Sequence, residues 1–516
     1  MYDLIIKNAT VIDGTGAKGC AADIAVQGGK IACVAAHIAG EGPVLDVKGL
    51  TVTPGFIDSH SHADEMMLTF PDQKEKIEQG ITLSMGGQCG GSIAPAPKYP
   101  VRDADIPGFG KKSEVCRTMG TLLNRVQDMP LGAGVAVFVG HRSLRLAVMG
   151  PDNRDPNEEE MQQMLELLRE GMAHGAMGVS FGLIYAPSCY AQIDELVAFA
   201  RVAKENGGMV AAHIRNERDT VREATAEFIE ILRRSGAKGV LSHHKAAGRN
   251  NWGAVHDTLK MIDDAVAEGI DIYLDVYPYT ASHTSLSTTL VPKEYHDRGA
   301  LGLVADLSDP VKRQAIREVN LKRWGEDLSW ILIARCPAYP QYVGKRLDEI
   351  ARLHGTDAYD AAFDMIRDSE NRCGACFFTM CEEDVMTVMR HPRAMICTDA
   401  AVAGDSVAYH PRLRGTFPRA LGRYVREKQV TTLEEMIRKM TSLPAQVYGL
   451  AGKGKIAAGY DADLCIFDAD TIVDRAEYAD CHQRAEGLRY VLVGGEIVVE
   501  NAVHNGKRNA RMHLRK

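Results

Sequence analysis

Along residues 1 to about 52 the apolar positions come in short β-prone runs: Leu4-Ile5-Ile6, Thr10-Val11-Ile12, Ile24-Ala25-Val26, Lys30 to Val34 and Leu45-Asp46-Val47. Asp13-Gly14-Thr15-Gly16, Gln27-Gly28-Gly29 and Gly40-Glu41-Gly42-Pro43 divide them. Short strands punctuated by turn residues predict a small all-β unit. A similar pattern returns from Gly452 to Asp468 and through Arg489 to Val499. Together the two ends predict a β-sandwich built from residues 1–54 and 446–516, with residues 55–445 inserted between them.

Within that insertion, apolar β-rich runs alternate with helical periodicity, which is the pattern of parallel βα units. The run from Leu50 to Ile57 is the first strand; the others are Ile81 to Met85, Val135 to Gly140, Gly178 to Phe181, Met209 to His213, Gly239 to His243, Ile272 to Val276 and Ala394 to Asp399. Helices are expected at Glu158 to His174, Ile193 to Asn206, Arg218 to Arg234, Trp252 to Glu268 and Asp357 to Ser369. Eight strands with helices between most of them predict an α/β (β/α)8 TIM barrel, whose chemistry sits at the C-terminal strand ends. Residues 287–345, before the last strand, are too long for a simple crossover and hold a helix capped by Ser308 or Asp309 with Pro310 in its first turn. Such a segment at the active-site end is most economically a lid or specificity element.

Composition narrows the class. The 516 residues are 45% hydrophobic and 25% charged, with a net charge of −8. That is ordinary for a globular protein and gives no electrostatic footprint for nucleic acid or an anionic membrane. No apolar run approaches the ~20 residues of a membrane span. The first residues enter strand pattern directly, so a cytoplasmic protein is expected. The 12 cysteines are scattered, several of them inside apolar runs. They read as reduced, buried thiols; Cys373-x-x-Cys376, with Cys381 nearby, lacks the second ligand pair of a zinc knuckle.

Chemistry concentrates at the strand ends. The first strand runs into Asp58-Ser59-His60-Ser61-His62, and residues two apart on a strand face the same way. The second leads to Gln88-Cys89-Gly90, the fifth ends at His213, the sixth at His243 and the eighth at Asp399. Four imidazoles, a thiol and a carboxylate at one end of a barrel form a metal constellation, and thiolate with imidazole favours zinc.

These residues resemble the amidohydrolase superfamily, and within it the D-aminoacylase (N-acyl-D-amino-acid deacylase) branch. The likeness covers nearly the whole chain. Asp3 to Gly14 and Gly454 to Leu464 are similar to the superfamily's composite β-domain, while Gln88-Cys89-Gly90, Ser242-His243-His244-Lys245, Tyr277-Pro278-Tyr279 and His410 to Arg419 carry the branch. Related cyclic-amide hydrolases bridge two metals with a carboxylated lysine from strand four; here Gly178-Val179-Ser180-Phe181-Gly182-Leu183 offers none, and the Cys89 thiolate can bridge instead. The resemblance implies a tight zinc on Cys89, His213 and His243, and a second, weaker position lined by His60, His62 and Asp399. It implies amide hydrolysis by a zinc-activated water, with Asp399 as general base and then acid. Arg412, Lys245, Tyr279 and Ser285 are the implied contacts for an N-acyl amino acid, and His283 and Tyr185 are further candidates for the pocket. His244 is read as structural. The chain departs from the family at Ala400-Ala401-Val402, where a glycine usually follows the aspartate, and at Gly91, where an aromatic is common. Both departures bear on substrate choice. Hydrolysis of another amide (a cyclic imide, a dipeptide or a xenobiotic) and a catalytically inactive scaffold are the competing readings. The sequence leaves the oligomeric state open.

Overall fold

In the computed structural model, which describes residues 1–98, 105–106, 109–402, 404 and 410–516, the apolar runs of the central region become parallel strands. They are Phe56–Asp58, Ile81–Gly86, Gly134–Val137 with its continuation Val139–Gly140, Gly178–Gly182, Met209–His213, Gly239–Leu241, Ile272–Val276 and Ala394–Ile396. Nearly every residue in them is buried, as expected for a sheet covered on one face by helices and filled with side chains on the other. Hydrogen-bonded pairing runs unbroken from the first strand to the third and from the continuation of the third to the eighth. The break falls at Phe138, whose N–H still donates to the Gly86 carbonyl at 3.0 Å. The ring closes where Asp399 N–H donates to His60 O at 2.9 Å and His62 N–H to Ala400 O at 3.1 Å. This is a TIM barrel, and its closing seam lies among the candidate ligands.

Two strands are shorter than the sequence suggests. The sixth stops at Leu241 and the eighth at Ile396, so His243 and Asp399 lie in turns beyond them. The first, expected as one run from Leu50 to Ile57, divides into Thr51–Pro54 of the terminal sheet and Phe56–Asp58 of the barrel, and His60 and His62 lie beyond it, so they do not share a pleated face. Asp58 explains the bend. Its carboxylate accepts from Thr398 N–H at 2.8 Å, from Thr398 Oγ1 at 2.6 Å and from the buried Lys76 Nζ at 3.0 Å, which draws the ends of strands one and eight together.

Both termini meet in one nine-stranded sheet. Leu464–Phe467 runs antiparallel to Thr51–Pro54, and Leu488–Val493, Glu496–Glu500 and Val503–His504 continue outward from it. Val52, Leu464, Ile466 and Leu492 pack with Ile6 and Ile24 in a core of their own.

Between strands seven and eight lies a compact inserted unit. Its strands Ser282–Ser285, Gly374–Phe377 and Ile331–Arg335 form an antiparallel sheet with Gly374–Phe377 in the middle. Asp309 caps the helix Pro310–Trp324, accepting from Val311 and Lys312 N–H. The unit's core draws on residues from Leu286 to Phe377, well beyond 287–345. It includes Phe363 and Ile366 of the helix Ala358–Asp368, which the sequence suggests is a barrel crossover. The helix that crosses to the last strand is Glu382–Arg390, through Val385, Val388 and Met389. Among the described residues, no helix is long and apolar enough to cross a membrane.

Candidate metal centre

Small residues on strand four make room for the loop that carries Cys89. Ser180 Oγ accepts from Gly90 N–H at 3.1 Å and also bonds the Gly87 carbonyl. A Cβ on Gly182 would stand 1.9 Å from the Cys89 carbonyl oxygen, and one on Gly87 2.2 Å from that of Phe138. The loop can therefore fold onto strand four only if these positions stay bare.

The expected residues converge on the Cys89 thiol. Its Sγ lies 3.3 Å from His60 Nε2, 3.3 Å from His243 Nε2 and 3.6 Å from His213 Nδ1. Asp399 Oδ1 lies 3.6 Å from His60 Nε2 and 3.4 Å from His62 Nε2. Two overlapping donor sets result, Cys89-His213-His243 and His60-His62-Cys89-Asp399, with all atoms of each set within 4.8 Å of one another. Cys89 is common to both.

Electrostatics and strain both fit these sets to a divalent cation. Burial pushes the Cys89 thiol up, but the surrounding His60, His243 and His213 imidazoles outweigh it and hold the thiol well below its usual range. Burial likewise raises the Asp399 carboxyl, and the Arg412 guanidinium with His243, His62 and His60 brings it well below the ordinary carboxylate range. His62 is pulled up despite burial by Asp399, Cys89 and Glu65, and His243 reaches about 10 against burial and Lys245, through Cys89, Asp399 and Glu217. Two buried anions thus draw positive charge onto His62 and His243, and a divalent metal satisfies the same demand without protons. Cys89, His243 and Asp399 also have φ of +52°, +36° and +49°. Left-handed backbone at non-glycine residues costs about 1 kcal/mol each and persists where the surroundings impose it, typically at functional sites.

The expected substrate contacts are arranged less simply. Arg412 is buried and donates from Nη1 to Asp399 Oδ2 at 2.7 Å; among the described residues its Nη2 reaches only the His283 carbonyl, at 3.4 Å. Lys245 Nζ lies 2.6 Å from Glu217 Oε1 and 2.8 Å from His243 Nδ1. The Tyr279 ring sits under the Arg419 guanidinium at 4.7 Å and edge-on to His410 at 5.0 Å, away from the donor sets. Tyr277 is the tyrosine beside them, with Arg412 5.0 Å and Lys245 5.5 Å from its ring. The reversal follows from a tight turn in which Tyr279 N–H donates to the Tyr277 carbonyl at 2.9 Å. Ser285 Oγ is engaged with Ser287 Oγ at 2.9 Å. Tyr185 stands edge-on to His213 at 5.1 Å, and its hydroxyl meets Thr284 Oγ1 of the inserted unit at 3.3 Å. His244 faces outward, 2.8 Å from Thr258 Oγ1. Sequence reasoning missed Glu217 altogether, although its place four residues after His213 was the available signal.

The amidohydrolase family pattern matches residues 43–499. The chain belongs to the amidohydrolase family. Among characterised amidohydrolases it is 37% identical over 501 residues to an N-acyl-D-glutamate deacylase of Alcaligenes xylosoxydans xylosoxydans, covering 97% of this chain and 94% of that one. A D-aminoacylase of the same organism is 35% identical over 521 residues, 100% of this chain and 98% of that one. The crystal structure of an N-acyl-D-glutamate deacylase from Bordetella bronchiseptica, complexed with zinc and a phosphonate inhibitor, superposes with a TM-score of 0.85 at 34% identity, covering 100% of both chains.

Proposed function

We propose that this amidohydrolase is a zinc-dependent N-acyl-D-amino-acid deacylase that cleaves the amide to a carboxylate and a free D-amino acid. The observation that carries the reading is the convergence of four imidazoles, a carboxylate and one shared thiol in a chain that aligns end to end with deacylases. Cys89, His213 and His243 are the residues to hold the tight metal, and His60, His62 and Asp399 line a second position beside the shared sulfur. Zinc held there lowers the pKa of water towards ~7 and polarises the scissile carbonyl.

The remaining chemistry belongs to the chain. Asp399 Oδ1 faces the two histidines while Arg412 engages Oδ2 and keeps the carboxylate ionised, so Oδ1, on the side of the donor sets, is the oxygen to take a proton from the attacking water and return it to the departing nitrogen. Arg412 Nη2, whose one hydrogen bond among the described residues is long, is available to meet a substrate carboxylate without giving up Asp399. Tyr277, whose buried hydroxyl has no hydrogen-bond partner among the described residues, is the better-placed tyrosine to join it. Lys245 contributes positive charge from beneath, tempered by Glu217. Ser285 and Tyr279 are more distant supports. The inserted unit covers the mouth and shapes the side-chain pocket, a role supported by the Tyr185–Thr284 contact and by Tyr190 Oη donating to the Lys293 carbonyl at 3.1 Å. In this arrangement residues 55–445 are catalytic, and 1–54 with 446–516 support them.

The test is amine release from a panel of N-acetyl-D- and N-acetyl-L-amino acids by zinc-loaded protein. Turnover confined to the D series is expected, with kcat reduced by about a thousandfold or more in Asp399→Ala. Zinc-loaded protein that turns over no member of the panel would overturn the reading.

A further inference from the structure

The two histidines of the Cys89-His213-His243 set approach the sulfur through different ring nitrogens. His243 presents Nε2, at 3.3 Å, and His213 presents Nδ1, at 3.6 Å. An imidazole can donate its lone pair to a metal from one nitrogen only if the proton sits on the other. The centre therefore needs opposite tautomers at two neighbouring residues, His243 protonated on Nδ1 and His213 on Nε2.

One carboxylate faces both of those far nitrogens. Glu217 Oε1 lies 3.1 Å from His243 Nδ1, and Oε2 stands 3.6 Å from His213 Nε2, an ion-pair distance longer than a hydrogen bond, so its hold on the His213 proton is electrostatic. The same Oε1 accepts from Lys245 Nζ at 2.6 Å. Lys245 creates the problem that Glu217 solves. Its ammonium also lies 2.8 Å from His243 Nδ1, where it can donate to an unprotonated nitrogen. That hydrogen bond would hold the His243 proton on Nε2, the atom that faces Cys89. A carboxylate between lysine and histidine reverses the preference, because it occupies the ammonium and accepts an Nδ1–H. Glu217 is also the only residue of this group on the chain segment after strand five, so the i, i+4 spacing from His213 brings it under both rings.

We propose that Glu217 is a positioning residue of the metal centre, setting the tautomers of His213 and His243 and keeping Lys245 from claiming the His243 ring. It touches neither the reacting amide nor the metal. The proposal rests on the assignment of Cys89, His213 and His243 as metal donors. Carboxylates behind metal-bound histidines typically change metal affinity by about 10- to 100-fold.

The test is zinc affinity, measured by competition with a chromogenic chelator on wild type, Glu217→Gln, Glu217→Asp and Lys245→Met. The expected result is an affinity lowered about 10- to 100-fold in Glu217→Gln, partly recovered in Glu217→Asp and kept within about threefold of wild type in Lys245→Met. Cobalt substitution gives a second readout: the Cys89 thiolate-to-cobalt absorption should weaken in Glu217→Gln and persist in Lys245→Met. Melting of the metal-stripped proteins separates a folding defect from a binding one. Wild-type affinity in a folded Glu217→Gln, or equal losses in Glu217→Gln and Lys245→Met, would overturn the proposal. Failure of the wild type itself to bind zinc would overturn the donor assignment along with it, whereas wild-type zinc binding without deacylase activity would leave Glu217's role standing and remove only the substrate reading.

Discussion

Asp399, Arg412 and Tyr277 form a stack in which each member controls the next. Burial alone would neutralise the Asp399 carboxyl, and the guanidinium at 2.7 Å keeps it ionised. That guanidinium lies over the Tyr277 ring at 5.0 Å, and the buried tyrosine hydroxyl has no hydrogen-bond partner among the described residues. Tyr277→Phe is therefore expected to raise KM for an N-acyl-D-amino acid by about tenfold, the worth of one hydrogen bond to a charged group. Tyr279→Phe should stay within about threefold of wild type, since its ring packs against Arg419 and His410 rather than against Arg412 and Lys245. Steady-state kinetics on the pair decides the matter, and the opposite order would return the role to Tyr279. The donors themselves were legible because histidine, cysteine and aspartate at strand ends stand out against apolar runs. The choice between two tyrosines two residues apart was not, because it depends on a turn that no periodicity records. Glu217 escaped for a related reason: a glutamate in Asn216-Glu217-Arg218 looks like any solvated loop residue until the rings above it are placed.

At the scale of elements, the barrel strands were legible because they are short, apolar and buried on both faces. Their ends were less so: burial continues past Leu241 and Ile396, through Ser242-His243 and Cys397-Thr398-Asp399, while the backbone has already turned. The inserted unit was underestimated because the helix Ala358–Asp368 has the same one-sided apolar pattern whether it faces the barrel or a separate core. The helix Leu433–Met440 illustrates how the outer layer is fastened. Lys439 is wholly buried and donates to the carbonyls of His391 and, at 3.2 Å, Ala394, at the start of strand eight. Burial lowers its ammonium to about 8, with Glu435 only partly opposing. Below pH 8 the folded and unfolded chains both carry this charge, and the folded state bears the full desolvation cost. Between about 8 and the unfolded value near 10.4 the native lysine has already lost its proton, so the unfolded state binds more protons and stability rises with pH. Relative to Lys439→Met, wild type should gain up to about 3 kcal/mol across that window. Parallel melting curves for the two proteins would reveal the gain as a widening difference, and parallel pH dependences would sink the idea.

Across the whole molecule, catalysis and stability are assigned to opposite ends of the barrel. The donor sets occupy the C-terminal strand ends, under the inserted unit, while the final residues of the chain run past the other end. Leu131 and Ala510 exchange backbone hydrogen bonds at 2.9 Å in both directions, His513 N–H donates to Val135 O at 2.8 Å, and Arg515 N–H donates to Gly175 O at 2.9 Å. Arg515 Nε reaches the Ala176 carbonyl at 3.0 Å, just before strand four. This strap closes the entry to strands three and four, and the third is the strand interrupted at Phe138. In TIM barrels the face at the strand N-termini contributes to stability and the opposite face to chemistry. Four backbone hydrogen bonds at roughly 1 kcal/mol each make the strap worth several kcal/mol before the entropy of ordering it is counted. Removal of residues 509–516 should therefore lower the melting temperature by about 5 °C while zinc content and kcat/KM stay within about twofold of wild type. A truncated protein that melts with the full chain would show the strap to be idle. One that keeps its melting temperature and loses zinc would show that the two ends of the barrel are coupled after all, through the interrupted third strand, whose Phe138 N–H bonds the residue before the Cys89 turn.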